Sequence, residues 1–217
     1  KGVPGSFQRT KAGIQALVKA RGQRPANIKV NTVILPGNHD TLSDMFEAVE
    51  ALGVDEWSIQ HNSFLPPQAR QDIDAYRKRT GIGDYCDGVA IDGPGLFETS
   101  QIEALSQQLE IIRRKAARSR LRVMVRPSCD GLEPYYLGRP PSPGSHCSFY
   151  NYSVNINEAG KVLSCLGYVL GDLGETPSLD AIWRSERAAA FRKHLRDNFP
   201  VPGCFRCCAL EYRFEER

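Results

Sequence analysis

The chain lacks any apolar run approaching the ~20 residues that a membrane-crossing helix needs, and it does not open on a basic stretch followed by an apolar core. It also lacks charge of one dominant sign, since 28 Lys and Arg stand against 25 Asp and Glu for a net charge of +3. A field that weak argues for neither nucleic acid nor a membrane surface as partner. No internal repeat and no low-complexity tract is present. The seven cysteines are odd in number and follow no secretory leader. They therefore point to metal ligands or core thiols in a cytosolic protein rather than to a disulfide framework. The first residue is Lys1, not Met, ahead of a loop-like Gly-Val-Pro-Gly, as expected of a piece of a longer chain.

What is present is a soluble, globular composition, and 217 residues are enough to bury a substantial core in one or two domains. Ser6 is placed to cap a helix with Phe7, Ile14, Leu17 and Val18 on one side, ended by Gly22 and Pro25. Asn27 to Leu35 is β-branched and largely apolar, the pattern of a parallel strand covered on both faces. Asp40 or Thr41 then caps a helix carrying Leu42, Met45, Phe46, Val49 and Leu52, closed by Gly53, and Asp55 to His61 is a further strand. Strand, helix and strand in this order imply a βαβ unit and a parallel sheet.

From Pro66 to Pro94 the pattern loosens into a long insertion with a polar helical piece around Gln68 to Arg79. A capping box at Ser100 to Glu103 opens a helix burying Ile102, Leu105, Leu109 and Ile112, and Leu121 to Pro127 is a third strand. The proline- and glycine-rich stretch from Pro134 to Pro143 should hold no regular element. It marks the expected boundary between a domain at 1–143 and a cysteine-bearing domain at 144–217.

In that tail Tyr152 to Ile156 and Lys161 to Cys165 alternate as a hairpin whose turn ends at Gly160, a position suited to positive φ. Ser178 stands where a helix cap is needed, and Ser185 or Glu186 begins a second helix with Phe191 and Leu195 facing inward. Cys147 and Cys165 flank the hairpin, and Cys204-Phe-Arg-Cys207 returns from far along the chain, so four sulfurs can meet at one site. Thiolates are soft donors, which selects an iron–sulfur cluster, zinc or copper(I) over hard cations. Cys208 is an alternative to Cys207. His146 is read as an ordinary loop residue, and Cys86 and Cys129 as core or loop thiols.

The spacing Cys147, twelve residues, Gly160, four residues, Cys165, then Cys204-x-x-Cys207, resembles the SPASM or twitch extension of radical SAM enzymes. Gly171-Asp-Leu, Ser178-Leu-Asp-Ala-Ile-Trp-Arg-Ser185 and Phe191-Arg look like the stretch that this family carries between its second and third cysteines. Upstream, Gly5 to Ile14 and Val30 to Val33 are similar to the middle of a radical SAM barrel. The resemblance implies an α/β fold, with a partial parallel TIM-like barrel followed by a small Cys-rich α+β domain. It also implies an auxiliary [4Fe–4S] cluster on Cys147, Cys165, Cys204 and Cys207.

In the full-length relative, S-adenosyl-L-methionine (SAM) and a second [4Fe–4S] cluster would generate a 5′-deoxyadenosyl radical. That radical would abstract hydrogen from a peptide or small-molecule substrate, with electrons from a donor such as flavodoxin or ferredoxin. The family's Cys-x-x-x-Cys-x-x-Cys loop does not occur in these residues, so the segment alone is expected not to cleave SAM. Asn31 matches a strand position that contacts SAM in similar enzymes, and Gln60 and His61 end the next strand on the same rim, His61 being read as an exposed edge residue. Only Cys208 follows Cys207, so one auxiliary cluster is the expected count. Leu166 stands where sulfatase-maturing members carry an acidic residue, which argues against that activity. The alternative to an enzyme is a zinc or iron–sulfur module that merely holds a small fold together.

Overall fold

Four of the six residues from Lys29 to Ile34 are β-branched, and this run forms the first strand of a parallel sheet. The computed structural model describes residues 3–82, 91–92 and 97–213. In chain order these carry α1 (Ser6–Arg21), β1 (Lys29–Ile34), a 3-10 turn at Leu42–Asp44 leading into α2 (Met45–Glu50), and β2 (Glu56–His61). Then come β3 (Phe64–Leu65), α3 (Pro67–Thr80), β4 (Ile91–Asp92), α4 (Thr99–Ala116), β5 (Arg122–Arg126), β6 (Ser128–Cys129) and α5 (Leu132–Tyr136). The tail adds β7 (Asn155–Ile156), β8 (Lys161–Leu163), β9 (Val169–Asp172), α6 (Leu179–Arg184), α7 (Glu186–Asn198) and β10 (Glu211–Tyr212). Among the described residues no helix is long and apolar enough to cross a membrane.

The chain packs as two units, Lys1–Asn62 with Phe97–Arg126, and Ser63–Leu96 with Pro127–Arg217. In the first, β1, β2 and β5 lie side by side, all parallel, in the order β1-β2-β5. A mixed α/β architecture with a parallel sheet is therefore present. Register puts Thr32, Ile34, Trp57, Ile59 and His61 on one face, where Phe46 of α2 meets Trp57 edge-on at 6.2 Å and the Trp57 indole donates to Thr32 Oγ1 at 2.9 Å. The other face carries Lys29, Asn31, Glu56, Ser58, Gln60 and Arg122. Among the described residues β1 pairs only with β2, and its burial alternates instead of being complete, so it is an edge strand and not one covered on both faces.

Two further expectations need correction. Helix α1 starts at Ser6 with Gly5 as cap, and none of its residues is buried: Phe7 and Leu17 are 65% and 61% exposed. Its apolar positions are too sparse to make a continuous stripe, and only Ile14 and Val18 are half-buried. The stretch from Pro134 to Pro143 begins inside α5, because Pro134 falls in the first helical turn, where no amide hydrogen is needed. Helix α4 keeps Ile102, Leu105 and Ile112 buried as expected, but its capping box is Glu98 with Gln101, two residues earlier. The polar helical piece of the insertion is α3.

Glu56 is buried on the polar face and accepts from Lys29 Nζ at 2.8 Å and Arg122 Nη2 at 2.6 Å, joining all three strands. The hydrogen bond from Lys29 leads the interactions that hold its carboxyl below the usual 4.5, against the upward push of burial. Stability from this group is thus present above the ordinary carboxylate range and lost as pH falls through the depressed folded value. Glu56→Gln should cost roughly 1–2 kcal/mol at pH 7, and the gap between wild type and variant in thermal melts should close between pH 5 and pH 3.

Candidate metal centre in the cysteine tail

All the tail's cysteines lie in the second unit, and the local sequence explains how they are presented. Asn157 Oδ1 accepts from the amides of Ala159 and Lys161 at 3.1 and 2.9 Å, and Gly160 takes φ 75°, which together close the turn between antiparallel β7 and β8. Strand β9 adds a third antiparallel member that periodicity did not show. A 3-10 turn at Cys165–Gly167 follows β8 and sets Cys165 at the sheet's end. Gly171 on β9 is dictated by contact, since a Cβ there would stand 2.9 Å from Ile182 Cγ2 of α6. Ser178 and Ser185 cap α6 and α7 through the amides of Ala181 and Ala188, as the sequence led us to expect.

Phe191 and Leu195 of α7 are buried in a core with Val162, Leu170 and Ile182, and Cys165 and Cys204 pack against that core. Tyr168 stacks on Phe191 at 4.5 Å. Cys147 enters between the His146–Glu211 backbone bridge and a 3-10 turn at Phe149–Asn151. Cys204 ends another 3-10 turn, and the Cys207 amide donates back to the Cys204 carbonyl at 3.1 Å. Phe205 at φ −59°, ψ 121° and Arg206 at φ 58° make this a type II turn. The Tyr212 hydroxyl donates to the Cys204 carbonyl at 3.1 Å and holds the turn from the C-terminal side.

None of the six described cysteines is disulfide-bonded. The thiols influence one another across the site. Burial pushes Cys165 up to about 12, with Cys204 and Cys147 adding to the effect. Cys207 is raised by its hydrogen bond with Cys208, then by burial and by Cys204. Cys147 is raised chiefly by burial, and Cys208 contributes. A line of mutual influence therefore runs from Cys147 through Cys165 and Cys204 to Cys207 and Cys208, and Cys208 is the exposed member. Among the described residues no three thiols, imidazoles or carboxylates are drawn together as ligands of a single ion.

The remaining expectations divide. Asn31 is exposed on β1 opposite Ser58, and Gln60 is half-buried on β2 opposite Val33, so both lie on the polar face of the parallel sheet. His61 is not the exposed edge residue expected of it: it is 1% exposed, and burial lowers it to about 4, leaving it neutral at pH 7. It shares the apolar face with Trp57 and Ile59 because a strand alternates, so its sequence neighbour Gln60 faces the other way. His146 is an exposed loop residue. Cys86 lies outside the described residues. Cys129 on β6 pairs with Tyr212 of β10, and burial first, then Asp130, push its thiol up to about 11, while Arg206 pulls it down. Sequence reasoning passed over Arg206 altogether, because nothing in Cys-Phe-Arg-Cys says which way the arginine turns.

The tail is thus a small unit rich in free thiols. Residues 147–208 match the model of the SPASM family, described as an iron–sulfur cluster-binding domain. No curated protein matches the chain. The match spans Cys147, Cys165, Cys204, Cys207 and Cys208. The residues fit a cluster in kind: the donors are thiols without disulfides, in one unit, each within electrostatic reach of another.

Exposure separates Cys207 from Cys208. In the metal-free chain iodoacetamide should modify Cys208 well before Cys165, followed by peptide mass spectrometry at pH 8. Equal rates at the two positions would contradict the burial described for Cys165.

Proposed function

We propose that this chain is the auxiliary-cluster part of a radical SAM enzyme of the SPASM or twitch type, working in the reducing cytosol. Cys147, Cys165, Cys204 and Cys207 would hold a [4Fe–4S] cluster that relays electrons or positions substrate. The observation that carries this reading is the SPASM match over a segment whose cysteines are free thiols that influence one another's ionisation. A four-iron cluster takes each thiolate on a different iron, so its ligands surround a volume instead of converging on a point. That requirement suits thiols which influence one another without crowding together.

The parallel β1-β2-β5 layer is consistent with part of a TIM-like barrel, and its polar face, with Asn31 and Gln60, is where a SAM contact would fall. In the whole enzyme SAM and a second cluster would supply the 5′-deoxyadenosyl radical. The substrate would be a peptide or a small molecule, and a flavodoxin or ferredoxin would supply electrons. What the chain's own residues do is narrower. The hairpin lies between Cys147 and Cys165 in the chain, the type II turn joins Cys204 to Cys207, and the half-buried Cys165 packs against the core that α7 builds.

Anaerobic reconstitution with iron and sulfide should give a brown protein with a broad band near ~400 nm. Cys165→Ala should abolish that band and Cys86→Ala should leave it. A colourless wild-type chain that carries stoichiometric zinc after the same treatment would refute the cluster and favour a structural zinc module.

A further inference from the structure

Arg206 stands at the third position of the Cys204–Cys207 turn with φ 58°. A type II turn needs positive φ there, which glycine or asparagine adopts at little cost and an arginine does not. The side chain is then buried to 1% exposure, and its three nitrogens find no partner of good hydrogen-bond geometry among the described residues, although the Tyr212 hydroxyl lies near enough to support its charge. Four aromatic rings surround the guanidinium: Phe205 at 4.1 Å, Tyr135 at 4.4 Å, Phe64 at 5.0 Å and Tyr212 at 5.8 Å. Ring faces attract a cation but do not neutralise it, and a buried charge without an anion costs several kcal/mol in general.

A strained backbone and an unneutralised buried cation at one residue call for an anion that appears only when the protein functions. Besides the phenols of Tyr135 and Tyr212, whose ionisation burial opposes, the groups around the box that can become anionic are thiols. Cys204 and Cys207 bracket Arg206 in the turn, and Cys129 is held beside Tyr212 by the β6–β10 pairing. Tyr135 and Tyr212, which line the box, also sense the tail thiols: Cys207 acts on both, Cys208 on Tyr135 and Cys204 on Tyr212. The rings therefore separate the guanidinium from the sulfurs without isolating it from them.

We propose that Arg206 is the built-in counter-charge of the centre bound by the tail thiolates, placed inside the ligand turn and paired with no carboxylate among the described residues, so that its positive charge acts on the bound cluster. This rests on the SPASM cluster reading above. Four coordinated thiolates make the site anionic, and one-electron reduction adds a further negative charge without a proton. A fixed cation nearby favours the reduced form, so Arg206 raises the reduction potential. Lysine at the same place would keep the charge, whereas methionine would keep only the apolar stem.

The test is a mediated redox titration of the reconstituted chain with dithionite as electron source, read by electron paramagnetic resonance, with iron content measured alongside. Arg206→Met should shift the one-electron equilibrium at least tenfold toward the oxidised form, a lowering of about 59 mV for each factor of ten. Arg206→Lys should recover most of that shift. Loss of iron from Arg206→Met with retention by Arg206→Lys would also support the counter-charge, since the charge would then be needed to hold the thiolates. An Arg206→Met chain with wild-type iron content and an unchanged potential would overturn the proposal and leave the cluster reading intact. Equal loss of iron from both variants would overturn it in favour of a packing role. A wild-type chain that takes up no iron would overturn the cluster reading itself, and this proposal with it.

Discussion

Drawing several thiolates together is electrostatically unfavourable, and the tail is arranged around that constraint. Burial pushes the Cys165 thiol up, and the hydrogen bond with Cys208 followed by burial does the same at Cys207, so both favour the neutral thiol over the thiolate. The fold's contribution is to shorten the search. The Asn157–Gly160 turn pairs β7 with β8 ahead of Cys165, and the caps at Ser178 and Ser185 start α6 and α7. Close approach of Ile182 to Gly171 locks that return. Arg206 then places a permanent positive charge where negative charge will gather, and the aromatic box makes its burial tolerable.

The parallel layer follows a different logic. Its β1, β2 and β5 strands bury Trp57, Ile59 and Ile34 on one face beneath α2 and turn a polar row toward the other. Glu56 links the three strands through Lys29 and Arg122 and so gives that polar face an order which hydrophobic burial alone would not provide. A sheet with one apolar and one polar face suits a structure whose polar side meets a cofactor or substrate.

Much of this was legible in the sequence where local chemistry decides. A β-branched run located β1, short strand patterns located β2 and β5, serine caps located α6 and α7, and Gly160 carried its need for positive φ openly. The cysteine spacing pointed to the domain that the SPASM match marks. What stayed hidden depends on contacts distant in sequence. Whether α1 is covered cannot be read from Phe7 and Leu17, and His61 looked like a rim residue because strand alternation was not carried one residue past Gln60. Strand β9 is too short and glycine-broken to announce itself. Arg206 owes its setting to Phe64 and Tyr135, which lie far upstream in the chain.

The central claim is that the tail holds a four-iron cluster, and its composition tests this more directly than any variant. Iron and acid-labile sulfide should be counted on chain purified without exposure to oxygen. The account predicts iron and sulfide in equal amounts, about four of each per chain. One zinc per chain with no labile sulfide would contradict it.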